Sequence, residues 1–273
     1  MTARHFEDFR VGQHHKSGPR EVTERDLAAF TEVAGSRDVL RTDSRPDQAL
    51  PGPFGLAAFT GILHELAEDE AVVALLDTHW HYLAPIRVGD TVRFEMTTTR
   101  CRRTAEGDRG VVNRHVALLN QRDELVQEGT AAVLVRARDT DGTSDSASHA
   151  FGTVGWATAL AERLGDDERF TSATSSWDGT IGLRCGEDEV HLRLYRGQVI
   201  DVARRSPLGA TFSLGAGELV WTELITGPSN DLVHRAMRGQ FEVSGNGYEY
   251  LRLTKVLHLI VDNARALAAG AER

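Results

Sequence analysis

The feature of this sequence that most constrains its fold is a polar segment near the middle of the chain. Residues 139–149 include three Asp but no Lys, no Arg and no large apolar side chain. Such a segment cannot bury enough apolar surface to offset the entropy lost on ordering it, so it is predicted to be a linker. The 273 residues then divide into domains 1–138 and 150–273. Each is long enough to bury its own core.

Charge and composition exclude several classes of protein. The chain has 40 acidic against 31 basic residues and a net charge of −9, which argues against nucleic-acid binding. No stretch reaches the roughly 18 apolar residues of a membrane-spanning helix, and the N-terminus lacks the apolar core of a signal peptide. Cys101 and Cys185 belong to no Cys/His cluster. We therefore expect a cytoplasmic protein without disulfide, metal or cofactor.

The first domain is predicted to be α+β. Thr23 and Asp26 have the spacing of a helix N-terminal capping box, and a helix should follow to about residue 34. A second, mostly apolar helix is predicted over 56–68. From residue 78 apolar residues alternate with polar ones, which indicates strands, two of them at about 111–119 and 129–137. The first helix should bury Leu27, Phe30 and Val33.

The second domain is also predicted to be α+β, with a different order of elements. A helix over 156–164 should precede the strands. The predicted strands span 180–185, 189–195, 198–203, 211–214 and 240–244. The remaining predicted helices span 216–226, 230–238 and 248–269, the last of them long and amphipathic.

Several segments of the first domain occur in a recognisable order. They are Phe6-Glu-Asp-Phe-Arg-Val-Gly-Gln13, Thr23-Glu-Arg-Asp26, Phe30, Ala34-Gly35 and Pro85-Ile-Arg-Val-Gly-Asp-Thr91. Together they resemble the MaoC-like hydratases and dehydratases over about residues 5–138. The resemblance implies a hotdog fold, in which an antiparallel sheet surrounds a central helix. It also implies an acyl thioester substrate and a homodimer.

The catalytic motif of that family is altered in this chain. The family has G-D-x-N-P-x-H-x-D, whereas residues 35–43 read GSRDVLRTD. Ser36 and Arg41 therefore stand where the family has its catalytic Asp and His. Serine is not a useful base by itself, and arginine cannot be deprotonated in a protein. Either the activity is lost, or other residues transfer the proton.

The candidates for proton transfer are nearby carboxylates and one histidine. Asp38 is the first candidate, and Asp43 and His64 are the next. Arg41 would neutralise a carboxylate or an enolate oxygen. A purely structural Asp38–Arg41 ion pair is the simpler interpretation of those two residues, and a core or interface role is the simpler interpretation of His64.

The resemblance also implies that the N-terminus of the central helix polarises the thioester carbonyl. The matching segment is Leu50-Pro-Gly-Pro-Phe-Gly55. Because Pro53 has no N–H, the donors would be Gly52, Phe54 and Gly55. The alternative is that Pro-Gly-Pro only begins a helix.

Two further histidines follow the central helix. His79 and His81 lie on one face of a predicted strand, but no third metal ligand is evident. We expect them to be exposed or to face a dimer partner, and Trp80 and Tyr82 on the other face to be buried in the core.

The second domain resembles the sterol carrier proteins over about residues 155–265. The resemblance rests on Trp177-Asp-Gly-Thr-Ile-Gly-Leu183, Val190-His-Leu-Arg-Leu-Tyr-Arg-Gly-Gln-Val199, Ala210–Leu214, Trp221–Gly227 and Gly239–Gly245. It implies a tunnel for an apolar ligand. The predicted lining is Phe212, Leu219, Trp221, Leu224, Ile225, Phe241 and Leu257. Periodicity alone makes each of these an ordinary core residue.

Two main functions follow from these observations. The first is a divergent lyase, a hydratase, dehydratase or cyclase that acts on an acyl thioester or another apolar carbonyl compound. The alternative is a non-catalytic lipid- or acyl-chain-binding protein with a degenerate hotdog domain for dimerisation. A third possibility is that the first domain pairs with a separate hotdog subunit whose site is intact.

Overall fold

A computed structural model describes residues 4–35, 49–65, 71–138 and 151–270, without the side chains of 64 and 65. The chain forms two compact units, 1–140 and 141–273. The predicted linker, 139–149, lies outside the described residues, so its conformation stays a prediction.

The first unit is one antiparallel sheet with a helix against its inner face. A 3₁₀ turn at Phe6–Asp8 precedes the regular elements. These are β1 (His14–Lys16), β2 (Arg20–Glu21), α1 (Glu24–Val33), α2 (Phe54–Glu65), β3 (Val72–Tyr82), β4 (Thr91–Arg103), β5 (Arg109–Leu119) and β6 (Leu125–Arg136). The strand order is β1-β4-β5-β6-β3, and β2 also pairs with β4. This is the hotdog arrangement, and the predicted α+β class is confirmed.

The core of the first unit lies between α2 and the sheet. Alternate residues of β4 and β5 point inward, among them Phe94, Met96 and Val116, and they pack against Phe54 and Phe59 of α2. The predicted period of two was therefore correct. However, β3 begins at residue 72 and not at 78, and β6 begins at 125 and not at 129.

The N-terminus of α1 has the predicted cap, but the buried face of the helix differs from the prediction. Thr23 Oγ1 accepts a hydrogen bond from Asp26 N, and Asp26 Oδ2 accepts one from Thr23 N. Leu27 and Thr31, one helical turn apart, are buried, whereas Val33 is 87% exposed. The prediction that Val33 belongs to the core was wrong, because α1 packs through the stripe 27/31.

The second unit contains a mixed sheet and six helices among the described residues. The strands are β7 (Asp178–Cys185), β8 (Asp188–Tyr195), β9 (Gln198–Ala203), β10 (Phe212–Ala216) and β11 (Glu242–Gly245), and the order is β11-β10-β7-β8-β9. Only the β10–β7 pair is parallel. The helices before the last strand are α3 (Val154–Asp166), α4 (Glu168–Ala173), α5 (Glu218–Thr226) and α6 (Leu232–Met237).

The predicted C-terminal helix, 248–269, is in fact two helices. α7 (Gly247–Arg252) ends at Leu253, whose backbone leaves the helical region (φ −98°, ψ 14°), and α8 (Thr254–Gly270) follows. Leu253 is itself buried, as are Leu257 and Ile260 of α8. The buried apolar face of this segment therefore belongs to Leu253 and α8, whereas α7 buries none of its residues. None of the described helices combines the length and the apolar character needed to cross a bilayer.

Two leucines of the second unit give a matched test of this core. Leu160 on α3 is 0% exposed, whereas Leu208, between β9 and β10, is 99% exposed. We expect Leu160→Ala to lower the free energy of unfolding by about 2–5 kcal/mol and Leu208→Ala to change it by less than about 0.5 kcal/mol. Urea unfolding followed by the fluorescence of Trp156, Trp177 and Trp221 measures both. Equal effects would contradict the assigned core.

Candidate functional site

The predicted proton-transfer residues cannot be placed. Asp38, Arg41 and Asp43 lie in the segment 36–48, outside the described residues, and so does the side chain of His64. Their assignments therefore stay predictions. The predicted carbonyl-binding segment, at the N-terminus of α2, is described in full.

Backbone hydrogen bonds at this turn use some of the predicted donors. Phe54 N donates to Pro51 O at 3.0 Å, and Gly55 N donates to Gly52 O at 3.4 Å. Ala57 N donates to Pro53 O at 2.9 Å, which begins the regular helix. Within the described part of the chain, the N–H groups of Gly52 and Leu56 have no acceptor. Of the three predicted donors, Gly52 is therefore the one that stays available, and Leu56 is an additional donor.

The buried side-chain amide of Gln127 is hydrogen-bonded to the turn at the N-terminus of α2. Gln127, on β6, is 2% exposed. Its Oε1 accepts a hydrogen bond from Trp80 Nε1 at 2.8 Å, and its Nε2 donates to Gly52 O at 3.1 Å. Because an indole N–H can only donate and a carbonyl can only accept, these partners fix the orientation of the amide. Trp80, Gln127 and Gly52 thus form one hydrogen-bonded chain.

Two glycines make room for this arrangement. A Cβ at Gly55 would lie 2.0 Å from Gln127 Oε1, which is far inside van der Waals contact. A Cβ at Gly52 would lie 3.1 Å from the ring of Tyr82. That ring is 51% exposed, so the prediction that Tyr82 is a core residue was wrong: it covers Gly52 at the surface.

Gln127 was not found from the sequence, and neither was Arg114. Arg114 lies on the inward face of β5 and is 2% exposed, with its guanidinium carbon 5.1 Å from the centroid of the Phe9 ring. A buried arginine among valines of an inward face is unusual for a structural core. Nearby, burial raises the pKa of the Cys101 thiol to about 12, although the charge of Arg114 opposes the shift. Cys101 is therefore not a nucleophile at neutral pH.

Six of the seven predicted tunnel residues of the second unit belong to its core, whereas Leu219 is only partly buried and lies outside it. Phe212, Trp221, Leu224 and Ile225 are 0–6% exposed. The Trp221 ring lies between those of Phe151 and Phe241, with centroids 4.8 and 4.9 Å away, and its Nε1 donates to a backbone carbonyl. A polar surface cleft of about 600 Å³ lies elsewhere, between α3, α4 and β9. A ligand-lining role for the seven predicted residues stays a prediction.

His79 and His81 were considered from the sequence as a possible pair of metal ligands. His79 and His81 are both exposed on β3. Among the residues that the structure describes, no group of three His, Cys, Asp or Glu side chains is arranged to hold a metal ion.

Comparison with known proteins gives similarity to acyl-CoA enzymes. No protein-family model matches the chain. The chain is 33% identical over 143 residues to β-methylmalyl-CoA dehydratase of Chloroflexus aurantiacus; this match covers 49% of this chain and 40% of that protein. The chain is also 30% identical over 147 residues to mesaconyl-CoA hydratase of Cereibacter sphaeroides; this match covers 51% of this chain and 43% of that protein.

These matches show homology to acyl-CoA dehydratases and hydratases over about half of the chain. The chain spans less than half the length of these two relatives. A solved structure of sterol carrier protein 2 is similar at a TM-score of 0.38 and 23% identity, covering 42% of this chain and 97% of that one.

Two glycines of α2 test the contact between the helix and Gln127. Gly61→Ala has nothing within 4 Å of the new Cβ, so we expect it to stabilise the first unit by about 0.5–1 kcal/mol through helix propensity. Gly55→Ala gains the same propensity but collides with Gln127, and we expect a net loss of about 1–3 kcal/mol. Calorimetric unfolding measures both. If both substitutions stabilise the protein, the Gln127 side chain can move away from the new methyl group at little cost, and it does not fix the conformation of the turn.

Proposed function

We propose that the first unit binds an acyl thioester at the N-terminus of α2 and catalyses the addition of water to its 2,3 double bond, or the reverse elimination. The observation that carries this proposal is the pair of N–H groups, Gly52 and Leu56, that lack acceptors among the described residues at a turn held by Gln127. Homology to acyl-CoA hydratases and dehydratases over about half of the chain supports the same class of substrate.

The turn would stabilise charge on the thioester oxygen. When hydroxide adds to C3, the carbonyl oxygen takes up negative charge as an enolate. N–H groups at a helix N-terminus favour such charge, and they do so best when fixed before the reaction. Gln127 keeps the Gly52 carbonyl engaged, so the Gly52–Pro53 peptide cannot rotate freely.

A second group must move the proton. We assign this role to Asp38, whose carboxylate takes a proton from water as the oxygen bonds to C3. The same carboxyl then returns the proton to C2, so one shuttle balances the reaction. Ser36 and Arg41 cannot act as this base, for the reasons of acidity given above. Arg41 would neutralise a carboxylate or the enolate oxygen, and Asp43 is the next candidate for the shuttle.

A pair of variants two positions apart tests the assignment. We expect Asp38→Asn to lower the hydration rate of a 2-enoyl-CoA thioester, such as mesaconyl-CoA, by at least about a hundredfold. Ser36→Ala should leave the rate within about twofold. The assay follows loss of the absorbance of the conjugated thioester. A large loss in Ser36→Ala with none in Asp38→Asn would contradict the mechanism.

The alternative is a binding protein without catalysis. It is favoured by the replacement of both family catalytic residues, at positions 36 and 41. The second unit would then carry the function as an acyl-chain or lipid carrier. Tight binding of an acyl-CoA by the native chain with no turnover would support this alternative. Mass spectrometry of a ligand that co-purifies with the chain would identify the molecule.

We also propose that the first unit forms a homodimer through β3. This strand is at the edge of the sheet, and it carries several exposed apolar side chains: Val73, Leu75, Leu76 and Tyr82. An exposed apolar edge strand is unfavourable in a monomer, since among the described residues the outer backbone edge of β3 pairs with no other strand and these side chains stay exposed. A second copy of the same strand would cover both. Pairing with a separate hotdog subunit is the other arrangement that would do so.

Charged substitutions at two edge strands test the dimer. We expect Leu75→Glu, on β3, to convert the protein from a dimer to a 30.0 kDa monomer, because the charge would be buried in the interface. Ile200→Glu, on the edge strand β9 of the second unit, is the matched control, since Ile200 is 56% exposed. It should remain dimeric in sedimentation analysis. A native chain that sediments as a monomer, or dissociation by both variants, would overturn the β3 interface.

A further inference from the structure

The outward face of the second sheet carries a buried polar network that the proposed function does not use. On β8, Val190, Leu192 and Leu194 point into the core, so the residues between them point to the opposite face. His191 lies on that opposite face, yet it is only 5% exposed. Its neighbours in the sheet, Ala203 and Gly182, are small and uncharged.

A loop between two strands covers this histidine. β9 and β10 are separated in the sheet by β8 and β7, so the chain between them must cross both strands. We call residues 204–210 the crossover loop. Ser206 N donates a hydrogen bond to His191 Nδ1 at 2.9 Å, and this contact joins the loop to the sheet face. Ser206 Oγ lies 3.4 Å from the same nitrogen and donates to Gly209 O at 2.7 Å.

The hydrogen bonds determine where the imidazole carries its proton. A backbone N–H can only donate, so Nδ1 must be the unprotonated acceptor and Nε2 carries the hydrogen. Nε2 lies 3.3 Å from Glu189 Oε1, which also accepts a hydrogen bond from Ser213 Oγ at 2.7 Å. Space for this cluster depends on Gly182, because a Cβ there would lie 2.1 Å from Ser213 Oγ and 2.8 Å from Glu189 Oε1.

Charged groups surround the imidazole of His191. Burial opposes ionisation of Glu189, but hydrogen bonds from Ser213 and His191 outweigh it and hold the pKa of this carboxyl below its usual range. The crossover loop contributes the opposing charges: Arg205, which acts on Glu189, and Arg204, which pairs with Asp188 at 3.4 Å. A doubly protonated imidazole would therefore attract Glu189 and repel the loop.

We propose that His191 is a pH-sensitive attachment point for the crossover loop. A proton on Nδ1 removes the acceptor of Ser206 N and places two donors face to face, while the imidazolium gains an ion pair with Glu189. The loop is attached when His191 is neutral and released when it is charged. Release uncovers the His191–Glu189 pair and frees the segment that leads into β10.

Hydrogen exchange of the loop tests the proposal on the full chain. Deuterium uptake of the peptide 204–210 is measured at about pH 8 and about pH 5, on either side of the ordinary histidine range. The same peptide in the denatured chain corrects for intrinsic exchange. We expect protection to fall at least about tenfold at acid pH, as the loss of one hydrogen bond implies. Equal protection at both pH values would overturn the proposal.

Three variants separate His191 from other groups. His191→Asn places an amide oxygen where Nδ1 was but cannot titrate, so protection should persist at acid pH. His234→Asn, on α6, should behave as the native chain does. Glu189→Gln removes the charge that favours the imidazolium, so release should require a lower pH. A native-like fall in His191→Asn, or a release pH that does not move in Glu189→Gln, would assign the pH dependence to another group.

Discussion

The buried amide of Gln127 is the interaction on which the candidate site depends. An amide both donates and accepts, so one side chain can join the Trp80 indole to the Gly52 carbonyl without leaving a polar group unpaired. An apolar residue of the same volume would remove the acceptor of the partly buried Trp80 indole, at a cost of about 1–3 kcal/mol, and would leave Gly52 O with only the 3.4 Å hydrogen bond from Gly55 N. Gly55 is a consequence of the same contact, since any side chain there would displace the amide.

The periodicity of apolar residues was sufficient to predict most strands and helices, but not the short elements β1, β2 and α4. Strands β7, β8 and β9 differ from their predicted bounds by no more than about two residues, because one face of β7 and of β8 is buried in a continuous core and Val199 and Val202 of β9 pack against that core. The predictions of buried residues and helix bounds were wrong where the apolar spacing continues along the chain but the packing does not. Val33 continues the apolar spacing of α1 but extends past the surface that α1 covers, and Leu253 continues the apolar stripe across a break in the helix axis.

Gln127, the side chain on which the site depends, was harder to predict because β6 contains a bulge next to it. Leu118 pairs with Gln127 and Leu119 with Leu125, which leaves Val126 as an extra residue in the strand. Such a bulge shifts the alternation, so that Val126 and Gln127 are both buried. In a strand with a period of two, a glutamine that follows a buried valine is predicted to point outward. The N-terminal turn of α2 could be predicted, because Pro-Gly-Pro before an apolar helix marks it, but the side chain that holds it could not.

In the proposed mechanism, carbonyl binding and proton transfer depend on different parts of the chain. The turn would polarise the carbonyl through backbone N–H groups, which are present whatever the side chains are, as long as Gly52, Gly55 and Gln127 keep its shape. Proton transfer uses side chains, and a single change such as His to Arg at position 41 ends it. A protein that only binds an acyl thioester would use the same turn, so the turn alone does not distinguish binding from catalysis. The distinction rests on proton transfer, which under the proposed mechanism needs the carboxyl of Asp38 and not the turn.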